Sequence, residues 1–306
     1  MKTKFKHILV ILCLSMISCE GNLEPELFDQ ITPENFLTNE DDVKTAVTGV
    51  YAEFRGISEW GRYKTSWGSV MTLQEVPTDL WAANWFYKAH TDFMWKATDY
   101  FVCEIFEFFV PAITKATALI ARIQDAPVSD DIKNRYIAEL RVVRALWMYD
   151  LFDLYGPVPA ITDPEKILNP TQDFTVTRPS REEYITFVET ELKEVINAKI
   201  LPVAWTGSDY GHVSQATAMM VLLQYMHEGG YCRNKHVGDY LDYFKKAEQV
   251  AKDIMDLQYY ELQAEFKDIW SPQNQHNNEI IFALPSFPIP VMGNNFLAHV
   301  LPTDYK

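Results

Sequence analysis

The chain has 306 residues, 48% of them hydrophobic, which is ample for one large core or two domains. Its 42 acidic side chains outnumber the 27 basic ones, for a formal net charge of -15. An acidic surface of that size argues against nucleic acid or anionic lipid as the main partner.

At the amino terminus Lys2, Lys4 and Lys6 precede an apolar stretch, Ile8 to Ile17, that is too short to span a bilayer. This is the layout of a secretory signal peptide. The run stops at Cys19 directly after Ser18, and a small residue before a cysteine resembles the processing site of bacterial lipoproteins. Cys13 follows Leu12, which is too large for that role. The expectation is a signal peptide over 1–18, a lipidated Cys19, and an acidic tether over 19–31 carrying Glu20, Glu24, Pro25 and Glu26. Two or more acyl chains anchor a protein stably to a membrane. Acids directly behind the lipidated cysteine resemble the surface-export signals of Bacteroidetes lipoproteins. No later apolar run is long enough to cross a membrane, and Cys103 and Cys232 are expected to be separate packed thiols.

Helical spacing dominates the remainder. Glu40, Asp41 and Asp42 suit a first turn after Thr38, and Val43, Ala46, Val47, Val50, Tyr51 and Phe54 form one face before Gly56. A second helix spans about Asp99 to Gln124, with Pro111 kinking it or marking its start. Ser129, Asp130 and Asp131 open a third, whose stripe is Ile132, Tyr136, Leu140, Val143, Trp147, Leu151 and Leu154, and which stops at Gly156 and Pro157. Ser180 and Glu183 form a capping box for a fourth that buries Tyr184, Phe187, Val188, Leu192 and Val195. A fifth covers Gln215 to His227, ending at Gly229 and Gly230. A sixth runs from about Tyr240 to Leu257, with Ala247, Val250, Ala251 and Ile254 inward. The clearest strand signal is Glu279 to Leu284. The fold class is all-α, with helix pairs suggesting a degenerate helical repeat and long irregular loops between them.

Two loops differ in character. Residues 156–179 are proline-rich and read as a wrapping connection. Residues 57–98 hold Trp60, Trp67, Trp81, Trp85 and Trp95, five of the eight tryptophans, a concentration that as a whole favours binding over the alternative that the rings fill the loop's own core. Flat aromatic rings can cover the C–H face of a sugar, and carboxylates or amides can pair its hydroxyls. The candidate ligand-binding residues are accordingly Asp79, Trp81, Asn84, Trp85 and Tyr87. Arg141 and Arg144 sit beside the buried stripe and are expected to bond carboxylates or carbonyls between helices. The chain has no Gly-x-Ser-x-Gly, no phosphate loop and no His-Glu-x-x-His. His227, Cys232 and His236 fit no common zinc spacing, so neither a metal nor a cofactor is expected.

The stretch Glu139-Leu140-Arg141-Val142-Val143-Arg144-Ala145-Leu146, continuing to Asp153-Leu154-Tyr155-Gly156-Pro157-Val158-Pro159, resembles the signature helix of the SusD/RagB family of Bacteroidetes outer-membrane lipoproteins. Thr32-Pro33-Glu34-Asn35-Phe36 through Gly49-Val50-Tyr51 is similar to that family's opening segment. Tyr259 to Phe266 and Asn277-Asn278-Glu279-Ile280-Ile281-Phe282 are similar to later segments, in the family's order. The chain departs from the pattern at Thr117, where asparagine is usual, and at His212, where arginine is more frequent.

The resemblance implies a tetratricopeptide-like platform over 32–278 and the start of a C-terminal region over 279–306, so the chain is expected to be a fragment or a truncated product. It further implies a non-enzymatic, surface-exposed lipoprotein of the outer membrane. Such a protein would bind a nutrient, by preference an oligosaccharide or polysaccharide and otherwise a peptide, and deliver it to a SusC-like TonB-dependent transporter. Two readings from other classes stand beside it: a helical-repeat scaffold for a peptide or protein, and an all-α glycoside-processing enzyme.

Overall fold

The computed structural model describes residues 36–54, 70–79, 87–169, 175–232, 240–269, 271, 274 and 277–285. Cys19, Gly56, Trp60, Trp67, Trp81, Asn84, Trp85 and His236 lie outside the described residues. All the described helices belong to one compact unit. They are α1 (Glu40–Ala52), α2 (Val70–Glu75), α3 (Lys88–Thr91), α4 (Tyr100–Asp125), α5 (Asp130–Tyr155), α6 (Pro164–Leu168), α7 (Arg181–Ala198), α8 (Gln215–Cys232), α9 (Tyr240–Asp256) and α10 (Phe266–Ile269). A single 3₁₀ turn, Gly207–Asp209, interrupts the connection between α7 and α8.

Among the described residues there is no strand, and the fold is all-α and tetratricopeptide-like. Neighbouring helices pack in sequence order, α4 with α5, α7 with α8, and α8 with α9, as stacked helix pairs require. The centre of the stack is α5, which touches α1, α4, α7 and α8. That position explains its composition. The expected stripe members Tyr136, Leu140, Val143, Trp147 and Leu151 are buried, but so are Ala138, Val142, Ala145, Met148 and Phe152 on the other faces. Trp147 is fully enclosed between Phe54 and Phe109, with ring centroids at 5.1 and 6.2 Å.

A helix wrapped on all sides must satisfy its polar residues internally. Arg144 donates to the Thr117 hydroxyl on α4 at 2.8 Å and to the Glu191 carboxylate on α7, which Arg141 also engages at 2.8 Å. The two arginines therefore tie three helices together, as expected of them. The fully buried Glu139 accepts from Tyr51 Oη of α1 at 2.9 Å and from Arg135 Nε at 3.0 Å, and His212 Nδ1 lies 2.7 Å away. These contacts join α1, α5 and the loop before α8.

Most helix ends are where the sequence places them. α1 starts with Asn39 as N-cap, its side chain accepting from Asp42 N. The capping box of α7 is complete, and Gly156 ends α5 at φ +74°.

Four features differ. First, α4 runs unbroken through Pro111. Pro111 and Glu107, whose carbonyl loses its partner, are both exposed, so water can take that carbonyl's bond. Second, α8 continues through Gly229 and Gly230 to Cys232. The pair costs about 1 kcal/mol per residue in propensity, which the packing of α9 along α8 offsets. Third, the proline-rich loop contains α6, because Asp163 caps it and Pro164 occupies its first turn. Fourth, Glu279 to Leu284 form no strand. A strand needs a partner ladder, and this segment lies on side chains instead. Phe282 packs on Phe54 at 5.8 Å, and Gly211 approaches Pro285 so closely that a Cβ there would fall 2.7 Å from Pro285 Cδ.

Candidate functional site

The short α3 and the turn behind it present the described end of the tryptophan-rich segment. Lys88 pairs with Asp92 at 2.6 Å along α3. The chain then folds back, with Met94 N donating to Ala89 O at 2.8 Å and Phe93 at φ +56°. Lys96 N donates to the Asp99 carboxylate at 2.8 Å, and the Cys103 thiol donates to Ala97 O at 3.2 Å. Both bonds fix the turn to the start of α4. The result is an aromatic patch on the surface: Trp95 is 43% exposed, Tyr100 51%, Phe93 68% and Met94 72%.

Behind the patch lies a cleft of about 360 Å³. Trp95, His90, Leu73 and Pro77 form part of its wall, and Val102, Leu154 and Tyr155 from the ends of α4 and α5 form its floor. None of the described lining residues carries an acidic or a Lys/Arg side chain. The Trp95 ring stacks on His90, centroids 6.1 Å apart and planes 12° apart, and His90 meets Phe101 edge-on at 5.6 Å. His90 is 4% exposed, and neither ring nitrogen has a hydrogen-bond partner among the described residues. Burial holds its imidazole below the ordinary value, against the pull of Asp99. The hydroxyl of Tyr155 is already engaged, donating to Val102 O at 2.8 Å. His90 is thus an unsatisfied polar group in a cleft whose described lining is mostly apolar.

Of the residues the sequence singles out, Tyr87 joins this cluster. Its ring stacks on Phe101 at 5.2 Å, and burial, with the charge of Glu104 added, pushes its phenol upward. Asp79 is exposed at the end of the turn that supplies Pro77. Trp81, Asn84 and Trp85 fall outside the described residues. Sequence reasoning counted Trp95 in the tryptophan cluster without choosing it, and it missed His90. The only signal for His90 was its place among the aromatics. Among the described residues, no three His, Cys, Asp or Glu side chains group to hold a metal ion, and the His227 ring packs on Phe244 at 5.5 Å.

No family model matches the chain. In sequence it is similar to SusD-like protein P25 of Formosa agariphila, 22% identical over 297 residues, covering 93% of this chain and 52% of that one. In structure it superposes on surface glycan-binding protein A from Bacteroides uniformis with a TM-score of 0.64 at 17% identity, covering 80% of this chain and 52% of that one. The chain is thus similar to SusD-like proteins in sequence and in fold. A laminarin-binding SusD-like protein also superposes, with a TM-score of 0.60 at 20% identity over 80% of this chain and 51% of its own. The chain spans about half the length of the curated relatives it matches. The stretch that resembles the signature helix lies on α5, and Thr117 on α4 and His212 in the loop before α8 both contact it. Thr117 accepts from Arg144, and His212 pairs with Glu139.

Proposed function

We propose that this SusD-like chain is the glycan-holding part of a non-catalytic, surface-exposed lipoprotein of the outer membrane. Cys19 would carry the lipid, and the bound glycan would pass to a SusC-like TonB-dependent transporter. The observation behind this reading is the partly exposed Trp95, stacked on a buried and unpartnered His90 at the mouth of an uncharged cleft. A neutral sugar ring fits that chemistry. Its C–H face can lie on the indole, and a hydroxyl can pair with the imidazole. The SusD-like relatives, one of them named as laminarin-binding, support a carbohydrate as the ligand class. Asp79, Trp81, Asn84, Trp85 and Tyr87 are proposed as further ligand-binding residues.

The test is affinity electrophoresis in gels containing laminarin, starch or xyloglucan. One polysaccharide should retard the protein, and Trp95→Ala should weaken binding roughly three- to tenfold, the value of one stacked ring. A Trp81→Ala/Trp85→Ala double variant should weaken it by roughly one to two factors of ten. Retention of full binding by Trp95→Ala, with the helical circular dichroism unchanged, would refute the cleft as the site. Separately, Cys19→Ala should release the protein from membranes and abolish fatty-acid labelling. The transporter partner is tested by whether the tagged protein retains a TonB-dependent barrel from solubilised outer membrane.

A further inference from the structure

A second cleft, of about 330 Å³, opens where the loop before α8 faces the extended segment 277–283. It shares no lining residue with the Trp95 cleft. Four rings line it, Trp205, Tyr210, Tyr259 and Phe282, together with the His212 imidazole and the amides of Asn277 and Asn278. No Lys, Arg, Asp or Glu is among its described lining residues.

Its walls are held in place from behind. Trp205 Nε1 donates to Val213 O at 2.8 Å, and the Arg135 guanidinium lies 4.3 Å over its ring. His212 is oriented by Glu139 through Nδ1, and the other groups on that carboxylate, Tyr51 Oη and Arg135 Nε, are donors. Nδ1 therefore carries a proton, and whenever the ring holds only that one, Nε2 is its acceptor. Nε2 has no partner among the described residues. Asn277 Oδ1 accepts from Glu279 N at 3.0 Å, while its Nδ2 is buried without a partner among the described residues. The cleft thus offers one oriented acceptor and one unpaired amide donor between aromatic faces. A hydroxyl can serve both roles, whereas an ionised ligand would be desolvated with no formal counter-charge in the wall.

We propose that this cleft is a second binding site, for a neutral saccharide of one or two rings, read by His212 and Asn277 and packed by Trp205 and Tyr259. The volume is at the lower end of small-molecule sites, which suits a short sugar rather than a polymer crossing.

The experiment is a titration of the full chain with maltose, cellobiose and laminaribiose at millimolar concentration, followed by the His212 imidazole and Trp205 indole resonances. At least one disaccharide should move both. Tyr259 is 40% exposed and Asn278 is exposed, so Tyr259→Ala/Asn278→Ala should keep the fold and weaken the titration roughly tenfold. Trp95→Ala should leave the His212 response unchanged, so this site and the Trp95 cleft stand or fall separately. The proposal is overturned if no disaccharide moves the His212 resonances. It is equally overturned if the double variant binds as the wild type does, or if glucuronate moves them and the neutral sugars do not.

Discussion

Glu139→Gln tests how far one buried carboxylate holds the SusD-like platform together. The native side chain is 0% exposed, with Tyr51 and His212 on one oxygen and Arg135 on the other. Glutamine keeps the shape but offers a single acceptor. If its carbonyl stays with Tyr51 and His212, its amide group faces Arg135 Nε, donor against donor. Stranding one buried donor costs about 1–3 kcal/mol, and breaking a buried pair outright about 3–5 kcal/mol. Arg135 retains Asp209 at 3.4 Å and is 26% exposed, which keeps the loss toward the lower figure. The expected cost is about 2–3 kcal/mol for glutamine and about 3–5 kcal/mol for alanine. Urea unfolding read by far-ultraviolet circular dichroism measures both. A double-mutant cycle with His212→Gln should give a coupling of about 0.5–3 kcal/mol. A glutamine variant within about 0.5 kcal/mol of wild type, the range of ordinary surface changes, would show that these contacts do not hold α1 and the 205–213 loop to α5.

Four further outcomes follow from particular positions. The folded-state value of His90 lies below the ordinary 6.5, so the unfolded chain takes up the proton first as pH falls. Stability should therefore drop from about pH 6.5 downward until the folded value is passed, and His90→Phe should flatten that slope. An unchanged slope would place the titration elsewhere. Asp42 and Glu183, lowered by bonds to Thr38 and to the Ser180 backbone, should release their share only in more acid solution, as pH falls through their folded values. Gly211→Ala meets Pro285 Cδ at 2.7 Å with φ at +100°, and should cost about 1–3 kcal/mol while speeding proteolysis within 277–285. Equal cleavage rates would mean that segment is not seated on Gly211. Gly49 lies inside α1 with nothing within 4 Å of a built Cβ, so Gly49→Ala should stabilise by about 0.5–1 kcal/mol in calorimetry. A loss would indicate a neighbour against that face.

What could be read from the sequence was local. The Ser180–Glu183 capping box and the stripe through Tyr136, Leu140 and Val143 encode their structure within a few residues, and both are in place. Non-local energies decided the rest. Gly229 and Gly230 are stop signals on propensity, yet the neighbouring α9 holds α8 past them. The run Glu279–Leu284 has strand composition, but with no ladder partner it packs as an extended segment against Phe54.

The site shows the same division more sharply. The crowding of tryptophan into 57–98 marks the segment from composition alone, but which ring reaches solvent depends on residues far away in sequence. Trp95 is exposed because the hydrogen bonds at Ala97 and Asp99 turn the chain outward onto α4, while Leu154 and Tyr155 of α5 supply the floor beneath it. His90 offers no pattern at all in the sequence. Its lack of a hydrogen-bond partner appears only when Phe101 and Trp95 close over it. A buried imidazole with both nitrogens idle is costly in the free protein. A ligand hydroxyl that paired with it would therefore gain more than the same contact made by an exposed histidine. On that argument, the position least visible in the sequence contributes most to selecting a hydroxylated ligand over an aliphatic one of equal size.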